Sequence, residues 1–139
     1  MDFFDLNRFI KAQNTCMARV KEELRNGKTR SNWMWYVFPQ YKGLDFSVIS
    51  VKYSIKSKKE AECYLDNDIL YARIKECCNI LLNLDYKNAY HIFGDPDCYK
   101  LKSCMTLFKH AKPELKLFNN VLVEYFNGDE CSYTRLILK

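Results

Sequence analysis

The chain has 139 residues, of which 48% are hydrophobic and 15% aromatic, and this composition excludes an intrinsically disordered protein. The 22 basic residues outnumber the 17 acidic ones, giving a net charge of +5, and they are scattered along the sequence. The length predicts one domain over residues 1–139, and the charge favours an anionic partner. Nucleic acid is compatible with this charge but is not favoured, since a phosphate-bearing small molecule fits as well.

The sequence predicts a cytoplasmic protein without a membrane anchor. Its opening stretch, MDFFDLNRFIKAQ, is interrupted by charges and does not resemble a signal peptide, and no run of 18 apolar residues follows. The seven cysteines are odd in number and lack C-x-x-C spacing, which argues against a disulfide framework and against a zinc site. We therefore expect reduced, structural thiols and neither a metal ion nor a cofactor.

The first predicted element is an amphipathic helix between Leu6 and Leu24. Apolar side chains recur there mostly at spacings of three and four residues, and Gly27 follows its end. The next segment, residues 33–38, is apolar at both alternating sets of positions. Its length and aromatic content favour a buried strand, with a short buried helix as the alternative.

A second strand is predicted in Val48–Lys56, because this segment contains several β-branched residues. Ser57 and Glu60 then form the S-x-x-E pattern of a capping box, in which the two residues satisfy free N–H groups at a helix start. This pattern predicts a short helix that ends near Leu65.

The second half of the chain is predicted to be helical. Its clearest helix lies in residues 66–84, where an apolar stripe is formed by Leu70, Ile74, Cys77, Leu81 and Leu84. Further helices are expected before Gly94, after Pro96 and between Pro113 and Gly128. Together with the two strands, these helices predict a predominantly helical α+β fold in a single compact domain.

The segment RSNWMWYVFPQ, residues 30–40, combines an apolar middle with polar ends. We predict that the middle packs in the core and that the ends border a ligand pocket. Arginine binds phosphate through paired hydrogen bonds, and aromatic faces stack on nucleobases at about 1–3 kcal/mol per base. The candidate ligand-binding residues in and beside this segment are Lys28, Arg30, Asn32, Trp33, Trp35 and Gln40.

A second candidate site is the helix that follows Pro96. Asp97, Lys100 and Cys104 are spaced so that they share one face of this helix, and Ser103 lies beside them. One interpretation is an ordinary ion pair at a helix start. The other is that Lys100 holds a phosphate, Ser103 contacts the base or ribose of a ligand, and Asp97 contacts a ribose hydroxyl or, as the candidate catalytic residue, steers a water.

The chain is identified as resembling a bacterial family, the domain-of-unknown-function family 1810, from four motifs that follow one another along nearly its whole length. They are DLNRFIKAQ (Asp5–Gln13), GKTRSNWMWYVFPQ (Gly27–Gln40), IFGDPDCYK (Ile92–Lys100) and CMTLF (Cys104–Phe108). Two positions depart from the family pattern, since Asn32 replaces a usual histidine and Cys104 a usual serine.

That family resembles, more distantly, the YbiA-like (NADAR-related) superfamily, whose better understood members cleave N-glycosidic bonds in ADP-ribose-type and ribosylamine compounds. The resemblance implies a helix-rich α+β fold with a nucleotide-sugar pocket. The acidic motif of the glycosidase members has no counterpart in SNWMWYVFPQ. We therefore expect the pocket to be retained without the chemistry.

These observations predict a protein that binds an anionic, nucleotide-like small molecule, ADP-ribose-derived or related, and sequesters it without hydrolysis, for instance as a phage protein directed against host defence. Two alternatives stay open. The first is an N-glycosidase in which Asp97 steers a water, and the second is a protein-interaction adaptor, which exposed and flat aromatic ends would favour. The oligomeric state is not predicted.

Overall fold

Ten helices form within residues 2–138, the part of the chain that the computed structural model describes. In chain order they are α1 (Asn7–Asn14), α2 (Met17–Arg25), α3 (Met34–Val37), α4 (Val48–Tyr53), α5 (Lys58–Asp66), α6 (Asp68–Leu82), α7 (Ala89–Phe93), α8 (Asp97–Ala111), α9 (Leu117–Phe126) and α10 (Ser132–Ile137). Their apolar side chains meet in one continuous core.

Helix α8 lies at the centre of this core and packs against α5, α7, α9 and α10. Its residues from Ser103 to Phe108 are all buried, so neighbouring parts of the protein cover nearly its whole circumference here. Burying each large apolar side chain contributes about 1.5–3 kcal/mol to stability. The first turn of α8 lies nearer the surface, and it is this end that carries Asp97 and Lys100.

The prediction of an α+β fold was wrong, because residues 2–138 contain helices but no sheet. The β-type pairing in this range is a single bridge between Tyr41 and Ile55. Ile55 N donates to Gln40 O at 2.8 Å, and Lys42 N donates to Ile55 O at 2.9 Å. This bridge fastens the loop after α3 to the loop after α4.

The predicted strand at residues 33–38 is the short buried helix α3, so the alternative interpretation is confirmed. The N–H group of Val37 donates to the carbonyl of Trp33 at 3.2 Å, and that of Phe38 donates to the carbonyl of Met34 at 3.0 Å. Helix α3 packs between the core and its neighbours, so apolar residues occur at both alternating sets of positions. Such a pattern does not distinguish a buried strand from a short buried helix.

The predicted strand at residues 48–56 is also wrong, because Val48–Tyr53 forms α4. Ser47 starts this helix, since its hydroxyl accepts a hydrogen bond from Ser50 N at 3.2 Å. An N-cap contributes about 1 kcal/mol, which exceeds the weak preference of individual β-branched residues for strands.

The helix predicted between Leu6 and Leu24 is divided into α1 and α2. The break occurs at Cys16, whose φ of −141° is not helical and whose side chain is buried. The capping box at the start of α5 is confirmed in its first half, because Ser57 Oγ accepts from Glu60 N at 3.0 Å. The Glu60 carboxylate instead accepts from Lys56 N at 2.9 Å and pairs with Arg8.

All seven cysteines are free thiols, and five of them are buried. Burial raises the pKa of the Cys77 thiol to about 12, so this side chain stays protonated and behaves as a small apolar group. Residues 2–138 contain no helix that is long and apolar enough to cross a membrane.

Candidate functional site

The side chain of Lys100 is mostly buried at the first turns of α8, where it is only 13% exposed. Its Nζ lies 4.9 Å from the ring centroid of Trp35 on α3 and 3.3 Å from Asp97 Oδ1. A buried ammonium group requires such partners, because desolvation is otherwise costly. The ring face of Trp35 and the Asp97 carboxylate therefore hold the Lys100 charge at one defined position.

A cleft of about 420 Å³ opens beside this lysine, and we call it the Lys100 cleft. It is lined by Gln40, Leu44, Asp45, Pro96, Tyr99, Lys100, Ser103 and Cys131. Its volume lies within the range of about 300–1,000 Å³ that is usual for small-molecule sites. The walls come from the loop after α3, the start of α8 and the segment before α10.

Asp45 is the second charged group of the Lys100 cleft. The Ser50 hydroxyl donates to its Oδ2 at 2.6 Å, and Ser47 N donates to its Oδ1 at 3.2 Å. These hydrogen bonds, with a smaller contribution from the nearby Lys100 charge, hold the pKa of Asp45 below its ordinary value. The carboxylate is therefore ionised at neutral pH, and Lys100 lies within the influence of two carboxylates.

A small recess of about 10 Å³ adjoins the cleft and shares Gln40, Leu44 and Asp45 with it. Trp35 also lines this recess, which has room for about one water-sized atom. The Trp35 Nε1–H group is buried and has no hydrogen-bond acceptor among residues 2–138. Leaving a buried donor unsatisfied costs about 1–3 kcal/mol, so this N–H group favours any acceptor that can reach it.

The structure brings five of the predicted site residues together. Gln40, Lys100 and Ser103 line the cleft, Trp35 lies against Lys100, and Asp97 pairs with it. Ser103 is 1% exposed, and its hydroxyl already shares a hydrogen bond with Thr134 Oγ1 at 3.1 Å. Ser103 therefore helps to shape the wall of the cleft and seats α10 against α8.

The other four predicted residues do not line the Lys100 cleft. Lys28, Arg30 and Asn32 are exposed on the loop between α2 and α3, and Lys28 Nζ contacts the carbonyl of His91 at 3.5 Å. Trp33 is 1% exposed and belongs to the core. Both polar ends of residues 30–40 were predicted to border a pocket. The C-terminal end, at Gln40, lines the cleft, and the N-terminal end does not.

Trp33 is held in the core by a residue that we did not predict, Glu23 on α2. The Glu23 carboxylate accepts hydrogen bonds from Trp33 Nε1 (2.9 Å), the Ser31 hydroxyl (2.7 Å) and the backbone N–H groups of Arg30 (2.8 Å) and Ser31 (3.2 Å). It thereby fixes the entry to α3, and with it the position of Trp35. Its place on an amphipathic helix, one residue before the apolar Leu24, gives little sign of this role.

Among the cleft residues that we did not predict, Tyr99 contributes an aromatic ring and Asp45 a charge. Tyr99 lines the cleft, yet 61% of its surface is exposed, so its ring is accessible for stacking. Asp45 follows Gly43 in a loop whose position depends on the bridge at Tyr41. Neither residue belongs to a spacing pattern that would indicate a site.

A larger cavity, of about 570 Å³, lies between α2 and α6 and is lined in part by Arg25, Lys75, Glu76 and Ile80. Glu76 pairs with Arg25 at 3.9 Å and with Lys21 at 3.3 Å, so two of the three charged residues named here are paired. Because its exposed groups resemble an ordinary helix surface with ion pairs, we place the candidate site at the Lys100 cleft.

The fold and the site define an all-helical protein, over the described residues, with a lysine-centred cleft. The family model described as "Protein of unknown function (DUF1810)" matches residues 3–138, and the chain belongs to this family. The family expected from the four motifs is thus confirmed.

A solved structure has a closely similar fold. The chain is similar to the conserved hypothetical protein Rv1873 from Mycobacterium tuberculosis, known from a crystal structure, with 42% sequence identity and a TM-score of 0.95. The match covers 97% of this chain and 96% of that protein. A search of curated proteins found no match.

Proposed function

We propose that the chain binds a small nucleotide-derived molecule in the Lys100 cleft. The observation that carries this proposal is the largely buried Lys100 ammonium group, held over the Trp35 ring at the wall of a cleft of ligand size. A fixed cation beside aromatic and hydrogen-bonding groups matches the mixture of charge, ring and hydroxyl that nucleotides present.

The arrangement suggests which part of a ligand each residue meets. Lys100 attracts a phosphate oxygen, while the ionised Asp45 accepts hydrogen bonds from ribose hydroxyls. Tyr99 is accessible for stacking on a base, and Gln40 offers an amide to its edge. Because Asp45 and Asp97 partly neutralise Lys100, the cleft favours the ribose-bearing end of a ligand with few charges over a polyphosphate.

The more distant resemblance of this family to the YbiA-like superfamily supports a ligand of the ADP-ribose type. Sequestration without hydrolysis remains our preferred role, including a role against a host defence signal. Asp97, the candidate catalytic residue, is engaged with Lys100 at 3.3 Å, as an ordinary helix-start pair is.

An N-glycosidase is the second candidate function, and the observation that favours it is the placement of two carboxylates, Asp45 and Asp97, close to one lysine. Glycoside cleavage commonly uses a pair of carboxylates. Chromatography after incubation with ADP-ribose separates the two functions. Recovery of unchanged ligand supports sequestration, whereas repeated turnover to free products that Asp97→Asn abolishes supports catalysis.

Replacing Lys100 with methionine is expected to weaken the binding of ADP-ribose by roughly 10- to 150-fold, the equivalent of about 1.5–3 kcal/mol for a hydrogen bond to a charged group. Methionine retains an apolar stem against Trp35 but removes the charge. The measurement is the difference in Tm with and without ligand, determined for each variant separately. A change in the stability of the unliganded variant then cancels. For the wild type, a ligand at 100 times its Kd adds about 2.7 kcal/mol.

Lys102→Met is the matched control, because Lys102 lies on the same helix and also contacts an aromatic ring, that of Phe126, at 5.8 Å. Its ligand-induced shift should equal that of the wild type. Tyr99→Ala should reduce the shift, while Tyr90→Ala, which removes a similarly exposed tyrosine from α7, should not. Equal shifts in Lys100→Met and Lys102→Met would contradict binding at this cleft.

A further inference from the structure

A second surface of the molecule exposes large apolar side chains. Phe46 is 81% exposed and Val48 is 89% exposed, and Val51 on α4 is exposed as well. On α10, Leu136 is 63% exposed. An open groove of about 570 Å³ runs between the two elements, and Phe46, Val51, Tyr133 and Ile137 contribute its apolar lining. We call it the α4–α10 groove. Exposed apolar side chains that line one groove are a feature of interaction sites.

The groove has a defined shape because α10 is seated on the loop that follows α3. The Tyr133 hydroxyl occupies the space where a side chain on Gly43 would begin, and Gly43 has a φ of +95° that favours glycine. Ser103 and Thr134 join α8 to α10 behind it. The contacts of α10 with this loop and with α8 therefore hold the apolar lining of the groove in place.

One edge of the groove is cationic, and the cations are Lys42 and Lys56. Lys56 Nζ donates to the carbonyls of Val51 (3.0 Å) and Ser54 (2.9 Å), which fixes its position. Burial and the charge of Arg8 lower the pKa of Lys56, Glu60 raises it, and Lys42, which lines the same groove, lowers it by a smaller amount. Lys42 forms no ion pair within residues 2–138.

Asp45 also lines the α4–α10 groove, but its single negative charge is outnumbered by the two lysines of the lining. An acidic occupant would relieve the repulsion between Lys42 and Lys56. A second copy of this chain would instead bring the same two lysines and a net charge of +5 to the contact. Charge complementarity thus favours a different, acidic partner.

We propose that the α4–α10 groove docks an acidic amphipathic segment of a partner protein, with the apolar face of that segment on Phe46, Val51 and Ile137 and its carboxylates facing Lys42 and Lys56. This is the helix-in-groove mode of recognition, in which apolar anchors supply affinity and the charged rim supplies selectivity. The proposal does not depend on the ligand of the Lys100 cleft.

The test uses a panel of fluorescently labelled synthetic helical peptides with leucines on one face and glutamates on the other. Fluorescence anisotropy should show saturable binding that weakens with added salt. Lys42→Glu and Phe46→Ala should each weaken it at least tenfold. The controls Lys116→Glu and Val123→Ala, at exposed positions in or beside α9, should leave it unchanged.

Three results would overturn the proposal. The first is no binding by any acidic peptide at millimolar concentration, or equal binding by the same peptides with lysines in place of glutamates. The second is a concentration-dependent dimer in sedimentation equilibrium that Phe46→Ala dissociates, which would assign the groove to a second copy. The third is binding to phosphatidylserine vesicles without binding to the peptides, which would assign it to a membrane surface.

Discussion

Glu23→Ala is expected to destabilise the protein by about 3–5 kcal/mol, because it removes the acceptor for one buried and three partly buried hydrogen bonds at once. The side chain of Glu23 is 6% exposed, and it accepts four hydrogen bonds from Arg30, Ser31 and Trp33. Each buried donor left without a partner costs about 1–3 kcal/mol, with some relief from local rearrangement. Chemical denaturation followed by tryptophan fluorescence measures the loss.

The pH dependence of stability provides an independent check on Glu23. Burial raises the pKa of this carboxyl, but the hydrogen bonds from Arg30, Ser31 and Trp33 outweigh burial and set it below the ordinary value of 4.5. A lowered carboxyl pKa adds stability above the unfolded-state pKa, and this stability is lost as pH falls through the folded-state pKa. The difference in stability between the wild type and Glu23→Gln should therefore narrow below a pH of about 4.5.

Glu22→Ala is the matched control, since Glu22 is the neighbouring but exposed residue of α2. Its effect should lie within about 0.5 kcal/mol. A similarly small effect of Glu23→Ala would show that the entry to α3 does not depend on this carboxylate.

Arg8→Ala is expected to cost about 3–5 kcal/mol, because removing one partner of a buried ion pair leaves the other charge uncompensated. Arg8 Nη2 lies 2.8 Å from Glu60 Oε2, and the two side chains are 11% and 1% exposed. The guanidinium group also donates to the carbonyls of Phe4, Asp5, Lys52 and Ser54. It thereby ties α1 to the ends of α4 and the start of α5.

A double-mutant cycle with Glu60→Gln measures the coupling between the two side chains, which should exceed about 1 kcal/mol for a pair in direct contact. Arg19→Ala, at an exposed position on α2, serves as the control and should have little effect. Additive effects of Arg8→Ala and Glu60→Gln would show that the carbonyl contacts, rather than the ion pair, account for the role of Arg8.

The longer helices could be predicted from the sequence because each buries a stripe of several turns. The stripe of α6 contains Leu70, Ile74, Cys77 and Leu81, all of which are buried. The fold class could not be predicted correctly because it depended on two short segments. In α3 and α4 the helical structure depends on a few tertiary contacts and on one serine cap. The periodicity of such short segments indicates neither the contacts nor the cap.

Contacts between residues of the site could be predicted only where those residues are close in sequence. Asp97 and Lys100 are one helical turn apart, and their pairing follows from that spacing. The contact between Lys100 and Trp35 joins α8 to α3 across a long stretch of chain, and no local pattern encodes it. Lys28 and Arg30 carried the right chemistry for a phosphate, but the loop that holds them lies outside the lining of the cleft.

The two tryptophans provide a direct test of binding at the Lys100 cleft, because each gives one indole N–H signal in a two-dimensional ¹H–¹⁵N NMR spectrum. Trp35 lines the recess beside the cleft, and its N–H group has no acceptor within residues 2–138. The Trp33 N–H group is bound to Glu23 in the core and serves as an internal reference. Trp33→Phe and Trp35→Phe assign the signals. Titration with ADP-ribose is predicted to shift the Trp35 signal progressively and to leave the Trp33 signal in place. An unchanged Trp35 signal at millimolar ADP-ribose would contradict the proposed function.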